Sequence, residues 1–356
     1  MSIGQGTQAT TGRARARAIL LRPLYALQLL TSAKSFLDNP LIGSARLNRL
    51  GLHRQRVRFA DVMCRWRRRR LARGLRPDWR EAFERDGYVV VRDVVPPEQF
   101  PGLRKALLAY EAPTREMRQG DAITRRMAID AKMLGAIPAL RSLLGRKDIR
   151  ALFNYVASYR IAPLHYVQTI VSHVGGNEPD PQESVHADSF HASMKAWLFL
   201  NPVEKEEGPF TYVRGSHRFD AARLGWEHAR SLRDPKAIDR LSARGSPRVQ
   251  PDELTAMGLG QAEPLALPGN TLVVADTGGF HARGTAERAG ERVEIWSYAR
   301  RNPFLPWLGG DLLSLPGIAE RRVPWLWALR DRFEKRLGQP WKPVGTRRAL
   351  DGEPAE

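Results

Sequence analysis

One cysteine, Cys64, in 356 residues excludes an intramolecular disulfide and points to a reducing compartment. Long apolar runs are missing too. The best candidate, Ala18 to Leu30, is interrupted by Arg22 and Pro23, whereas a transmembrane helix needs about 20 apolar residues. No segment repeats at a fixed period, which excludes a solenoid. Acidic residues are scarce at the N-terminus. Between Met1 and Arg76 stand 17 Lys and Arg against only Asp38 and Asp61, so 15 of the 19 net positive charges fall there. The other 280 residues are close to neutral. Hydrophobic residues make up 42% of the chain, enough for a substantial core and too many for global disorder.

What is present falls into three parts: a basic arm over 1–78, a catalytic-sized domain over 79–303, and a basic aromatic tail over 304–356. The arm opens on a polar stretch expected to be disordered. "RARARAILLRPLYALQLL" follows, superficially like a signal peptide. With Arg22 and Pro23 inside its apolar part, it fits better as an interfacial segment, with Leu and Tyr among headgroups and Arg on phosphate. In "GLHRQRVRFADVMCRWRRRRLARGLR", helical spacing puts Phe59, Met63 and Trp66 on one face. That helix either packs on the core or lies on anionic lipid. Nucleic acid is the weaker candidate, since no zinc-ligand pattern or helix-turn-helix is visible. The tail places Trp307, Trp325 and Trp327 beside Arg321, Arg322 and Arg330, again as interfaces do.

The middle begins with a strand expected over Tyr88–Val95 and helices over Gln99–Tyr110 and Leu134–Leu144. From Ala151 onward short apolar-rich segments dominate: "HYVQTIVSHV", "SVHADSF", "KAWLFLNPV", "FTYVRGSH", "TLVVADT" and "RVEIWSYAR". Such a series predicts a mainly β domain, a sandwich or barrel with flanking helices. A charged, partly helical insert near 220–265 interrupts it.

His186 and Asp188 sit two apart, so on a strand they share a face and can reach one ion. A His and a carboxylate suit a divalent metal such as Fe(II), and a third ligand would complete a facial triad with open positions. His281 follows the strand "TLVVAD", after glycines that allow a tight bend. Arg292, eleven residues on, offers a fork matched to a carboxylate. His191 is five from His186 and faces the other way. His217 reads as a turn residue, and His165 and His173 have no stronger claim than ordinary packing.

These motifs resemble the phytanoyl-CoA dioxygenase family of Fe(II)/2-oxoglutarate oxygenases. The likeness runs from "FERDGYVVVRDVVPPEQF" through "HAD" and "WLFLNPVEKEEGPFTYVRGSHR" to "GNTLVVADTGGFHARG" and "ERVEIWSYAR". It implies a double-stranded β-helix, a jelly-roll or cupin-like core. It also implies iron on His186, Asp188 and His281, the far carboxylate of 2-oxoglutarate on Arg292, and Gln168 and Trp197 lining the co-substrate pocket. With Asp188 present, the resemblance implies hydroxylation by O2 rather than halogenation. Two departures stand out: Arg283 where the family often has a small hydroxyl residue, and Arg214 where it usually has Pro. Arg283, Arg214 and Arg300 are candidates to meet an acidic substrate, and Thr124 and Arg125 in "GDAITRRM" are candidates for a further pocket wall.

The whole chain also resembles a bacterial branch that includes hydroxylases of the lipopolysaccharide sugar 3-deoxy-D-manno-octulosonic acid (Kdo). That likeness implies a lipid-linked substrate and a cytoplasmic enzyme peripheral to the inner face of the membrane. Other readings of the same residues are an acyl-CoA or small-molecule hydroxylase, a non-catalytic jelly-roll binding protein and a nucleic-acid-modifying oxygenase. Oligomeric state is not legible.

Overall fold

The computed structural model of the protein describes residues 22–175 and 179–350. The polar stretch and the first part of the signal-like one, over 1–21, lie outside that range, while the rest of the latter is helical over Arg22–Gln28. Eleven strands are described: β1 (Tyr88–Val91), β2 (Ala112–Gln119), β3 (Ala122–Ala128), β4 (Leu164–Ser172), β5 (Met194–Phe199), β6 (Phe210–Tyr212), β7 (Glu263–Pro264), β8 (Thr271–Asp276), β9 (His281–Arg283), β10 (Gly290–Ala299) and β11 (Lys342–Arg347). Eight form one sheet in the order β1-β8-β5-β10-β4-β3-β2-β11, and three form a second in the order β7-β6-β9. The pairings are antiparallel, and the two facing sheets make the expected double-stranded β-helix.

Alternation along the strands sorts the core into two layers. Leu198, Val274, Val293 and Ile295 turn to the helical side, where they join Phe83, Leu107, Leu140 and Leu152. Their neighbours Trp197, Val273 and Trp296 turn the other way, toward Phe210 and Tyr212 of the second sheet. The cavity opens between the sheets on that second side.

Several elements differ from expectation. β1 is shorter than Tyr88–Val95, and "SVHADSF" is no strand, contributing only the bridge residue His186. Pro138 lacks an N–H, and the Leu134–Leu144 helix is split there into Ala131–Ala136 and Pro138–Gly145. The β2–β3 hairpin was hidden because its strands carry charge where core strands carry apolar residues. Arg125 and Glu116 pair at 2.7 Å, both buried. The tail is no appendage: β11 pairs with β2, and Val323 and Trp327 are buried in the second layer.

The arm helix is turned differently from the expected face. Its buried side is His53, Arg56, Val57, Ala60, Cys64, Arg67 and Leu71, while Phe59 is 48% exposed. Its inward arginines hold carbonyl groups. Arg56 donates to Leu29, Thr31 and Ala33. Arg67 donates to Ser158, Pro303 and Leu305, and Arg68 to Tyr155, Val156 and the Asp276 carboxylate. The insert is equally embedded. Glu227 of the Ala221–Ser231 helix is fully buried among His53 at 2.9 Å, Arg230 at 2.9 Å and Arg223 at 3.2 Å. Among the described residues, no helix is long and apolar enough to cross a membrane.

Candidate metal centre

His186 and His281 are brought together by backbone pairing. His186 N donates to His281 O and His281 N to His186 O, each at 2.9 Å. Directly opposed residues of an antiparallel pair present side chains to one face, and the two ring centroids lie 4.5 Å apart. Asp188, two residues on, shares that face, and its amide is held by Thr277 O at 2.8 Å. Its carboxylate oxygens lie 3.9 Å from His186 Nε2 and 3.8 Å from His281 Nε2. The three ligand atoms fall within 4.8 Å of one another, so they can hold one metal ion.

Both rings are oriented from behind. His186 Nδ1 meets Ser184 O at 2.8 Å and His281 Nδ1 meets Gly279 O at 3.0 Å. With the proton on Nδ1, each Nε2 lone pair faces the centre, as metal-binding imidazoles require. His281 Nε2 is buried with no hydrogen-bond partner, which a metal ion would supply. Burial lowers both imidazole pKa values, that of His281 to about 4 and that of His186 well below its ordinary value. Burial alone would raise Asp188, but Lys195 at 2.7 Å and the two imidazoles hold it well below the usual carboxylate range. At neutral pH the set is two neutral imidazoles and one carboxylate, ready for a divalent ion.

The glycines before His281 matter for space. A Cβ on Gly278 would stand 2.7 Å from His191 O, and one on Gly279 would collide with the Tyr212 hydroxyl. That hydroxyl donates to Asp276 O at 2.7 Å, fixing the turn that delivers His281.

The cavity beside the triad is about 330 Å³, and its lining includes Gln168, Trp197, Arg283, Arg292 and Thr124. Arg292 is buried, with Nε at 3.1 Å from Glu294 and Nη1 on Gly208 O. Gln168 bridges Arg126 at 2.7 Å and Glu294 at 2.6 Å. Trp197 stacks near Phe210, with centroids 4.2 Å apart. Arg283 lies two residues beyond His281, on the same face, and its Nη1 pairs with Asp180 at 2.5 Å. Arg214 is not brought in: it pairs with Glu263 at 2.8 Å on the outside of the domain. Alternation also corrects the β3 wall, since Thr124 and Arg126 face the cavity while Arg125 points away into the Glu116 pair. His191 is buried on Ala192 O. His217 packs on Phe83 instead of bonding the turn. His165 bonds Ser297, and His173 bonds Ala286 O.

Sequence reasoning missed Glu294, Arg126, Lys195 and Lys34. Alternation from Arg292 along β10 would have found Glu294, and the register opposite Tyr298 yields Lys195. Nothing local marks Lys34, which reaches the site from the arm and donates to Asp188 O.

A jelly roll with a His–Asp–His cluster and a cation-lined cavity defines a 2-oxoglutarate-dependent non-haem iron oxygenase. Residues 83–240 match the phytanoyl-CoA dioxygenase (PhyH) family. His281 and Arg292 lie beyond the matched residues, so their inclusion rests on the geometry. No curated protein matches the chain. Among solved structures, the non-haem α-ketoglutarate-dependent epimerase SnoN from nogalamycin biosynthesis is 19% identical (67% of this chain, 89% of that one, TM-score 0.38). The carbocyclase SnoK of the same biosynthesis is also 19% identical (65% and 85%, TM-score 0.39). HygX from Streptomyces hygroscopicus, with nickel and 2-oxoglutarate bound, is 15% identical (63% and 87%, TM-score 0.39). At these TM-scores the likenesses carry no weight for function.

Proposed function

We propose that this protein hydroxylates an acidic, lipid-linked substrate presented at an anionic membrane surface, the Kdo sugar of lipopolysaccharide being the candidate that best fits. In this reading His186, Asp188 and His281 hold Fe(II), and Arg292, oriented by Glu294, binds the far carboxylate of 2-oxoglutarate. Iron and 2-oxoglutarate supply the oxidising power: one atom of O2 leaves in succinate, with loss of CO2, and the other enters a C–H bond of the substrate. The protein's own part is positioning. Trp197 and Phe210 wall the co-substrate, while Thr124 and Arg283 stand where a substrate group would pass.

The observation that carries the acidic-substrate reading is the charge of the cavity. Six cationic side chains line it, Lys34, Arg126, Lys195, Arg283, Arg292 and Arg300, against Asp188 on the lining and the buried Asp180 and Glu294 that pair with Arg283 and Arg292. One dicarboxylic co-substrate and one divalent ion leave positive charge for an anionic substrate. The membrane reading is supported by the outer surface. Leu24, Leu27 and Leu30 are 48%, 62% and 63% exposed, and Leu30 O is tied to Asn302 at 2.9 Å. Trp307 of the tail is 51% exposed. A separate cleft lined by Arg70, Arg73, Lys147, Arg150 and Arg160 contains no acid, as phosphate headgroups would favour.

Mass spectrometry of lipid extracts from cells with and without the gene tests the reading. A gain of about 16 Da, one inserted oxygen atom, is expected in an acidic glycolipid only when the gene is present. Co-sedimentation with anionic vesicles, set against gel shift with DNA or RNA, separates the membrane partner from a nucleic-acid one.

A further inference from the structure

Alternation along β10 places Arg292, Glu294, Trp296 and Tyr298 on one face. Six residues of strand separate the Cα atoms of Arg292 and Tyr298 by about 20 Å. Lys195 stands opposite Tyr298 in the register and Trp197 opposite Trp296, so Lys195 and Tyr298 mark the end of the cavity away from Arg292. Arg300 follows directly, its guanidinium 6.0 Å from the Tyr298 ring centre.

The cations of the two ends differ in their partners. Near Arg292 each is engaged: Arg292 with Glu294, Arg283 with Asp180, Arg126 with Gln168. At the far end Lys195 has Asp188, a carboxylate that a metal ion would share. Lys34 has a carbonyl oxygen, that of Asp188. Arg300, half-buried on the cavity wall, has no hydrogen bond or ion pair among the described residues.

Lys34 is held in place. Arg56 clamps the carbonyls of Leu29, Thr31 and Ala33. Phe36 N donates to Ala243 O at 2.9 Å. Gly245, at φ 85°, leaves room against the Lys34 backbone that any Cβ would fill. The basic N-terminal segment thus delivers a fixed ammonium group into the cavity.

We propose that Lys34 and Arg300, backed by Lys195, form an oxyanion subsite that holds the acidic group of the substrate, so that the N-terminal segment completes the active site. The ligand class is a carboxylate or phosphate monoester on a sugar-sized molecule. This inference rests on the oxygenase reading for its meaning, but its binding test does not.

The test titrates full-length protein with two probes, inorganic phosphate and the free monosaccharide acid Kdo, following binding by calorimetry. The variants are Lys34→Ala, Lys34→Arg and Arg300→Ala. Each alanine variant is expected to weaken binding of the preferred probe by about tenfold or more, with Lys34→Arg retaining most of it. The weak visible band of anaerobic Fe(II) with 2-oxoglutarate should keep its wild-type midpoint in all three. Preference for Kdo identifies a carboxylate ligand and preference for phosphate a phosphate ligand. Wild-type affinity in both alanine variants, or no binding of either probe to wild type, overturns the subsite. Equal loss of the visible band overturns it too, assigning these cations to the co-substrate. If Lys34→Ala fails to fold, Arg300→Ala decides, since that side chain makes no bond whose loss would unfold the chain. Absence of the band from wild type would sink the oxygenase reading and leave the anion titration to be judged separately.

Discussion

The triad and the arm helix are built by opposite means. The triad sits on backbone pairing: His186 and His281 exchange both ladder bonds, and only their free ring edges face the centre. The arm helix is attached by side chains, with Arg56, Arg67 and Arg68 on carbonyls and His53 in the buried Glu227 cluster. Backbone pairing tolerates a changed side chain, whereas a buried ionic cluster does not survive loss of its central charge. The contrast also revises the meaning of the arm's composition. Part of its positive charge is internal fastening, and only the remainder can meet a membrane.

The largest effect should come from the triad. His186→Ala should abolish both the Fe(II)/2-oxoglutarate band and succinate formation, while the melting transition of the metal-free protein moves little. Collapse of the fold in that variant would break the comparison. Next, Glu227→Ala should destabilise by about 3–5 kcal/mol, because it leaves Arg223 and Arg230 buried without a counter-charge. Urea unfolding measures this, and a loss under about 1 kcal/mol, the level of an exposed pair, would show the cluster to be loosely packed.

Acid should act next. Burial holds the His165, His191 and His217 imidazoles down, to about 4, about 3 and about 3. The unfolded chain therefore takes up protons that the folded one does not. Stability is complete above the ordinary pKa of about 6.5 and falls below it, by up to about 1.4 kcal/mol per pH unit for each imidazole. Melting of the metal-free protein between pH 7 and pH 5 checks the sign; a flat profile would refute it. The smallest effect expected is Glu294→Gln. Arg292 loses its charged partner, and KM for 2-oxoglutarate should rise by a few-fold, on the order of 1 kcal/mol, with kcat nearly unchanged.

The sequence made the jelly roll legible where strands bury apolar residues, as in β5, β8 and β10. It concealed β2 and β3, where the buried Arg125–Glu116 pair and the flanking Arg115 and Arg126 break up the apolar pattern of Ile123 and Met127. The His186–Asp188 pair was readable because a two-residue period survives even outside a regular strand. Arg283 and Thr124 could be placed near the site, but Arg214 could not be excluded, because a turn gives no periodicity to say which way a side chain leaves. Lys34 was illegible: it lies 154 residues from its acceptor, and only packing of the arm on the insert brings them together.

The reciprocal bonds between residues 186 and 281 have a wider consequence. They join two points 95 residues apart at the seam where the second sheet meets the loop from β4, so a bound ion is also a clasp on that seam. Chelation should loosen it from the centre outward, and the amides of His186 and His281 should be among the first buried ones to exchange with solvent.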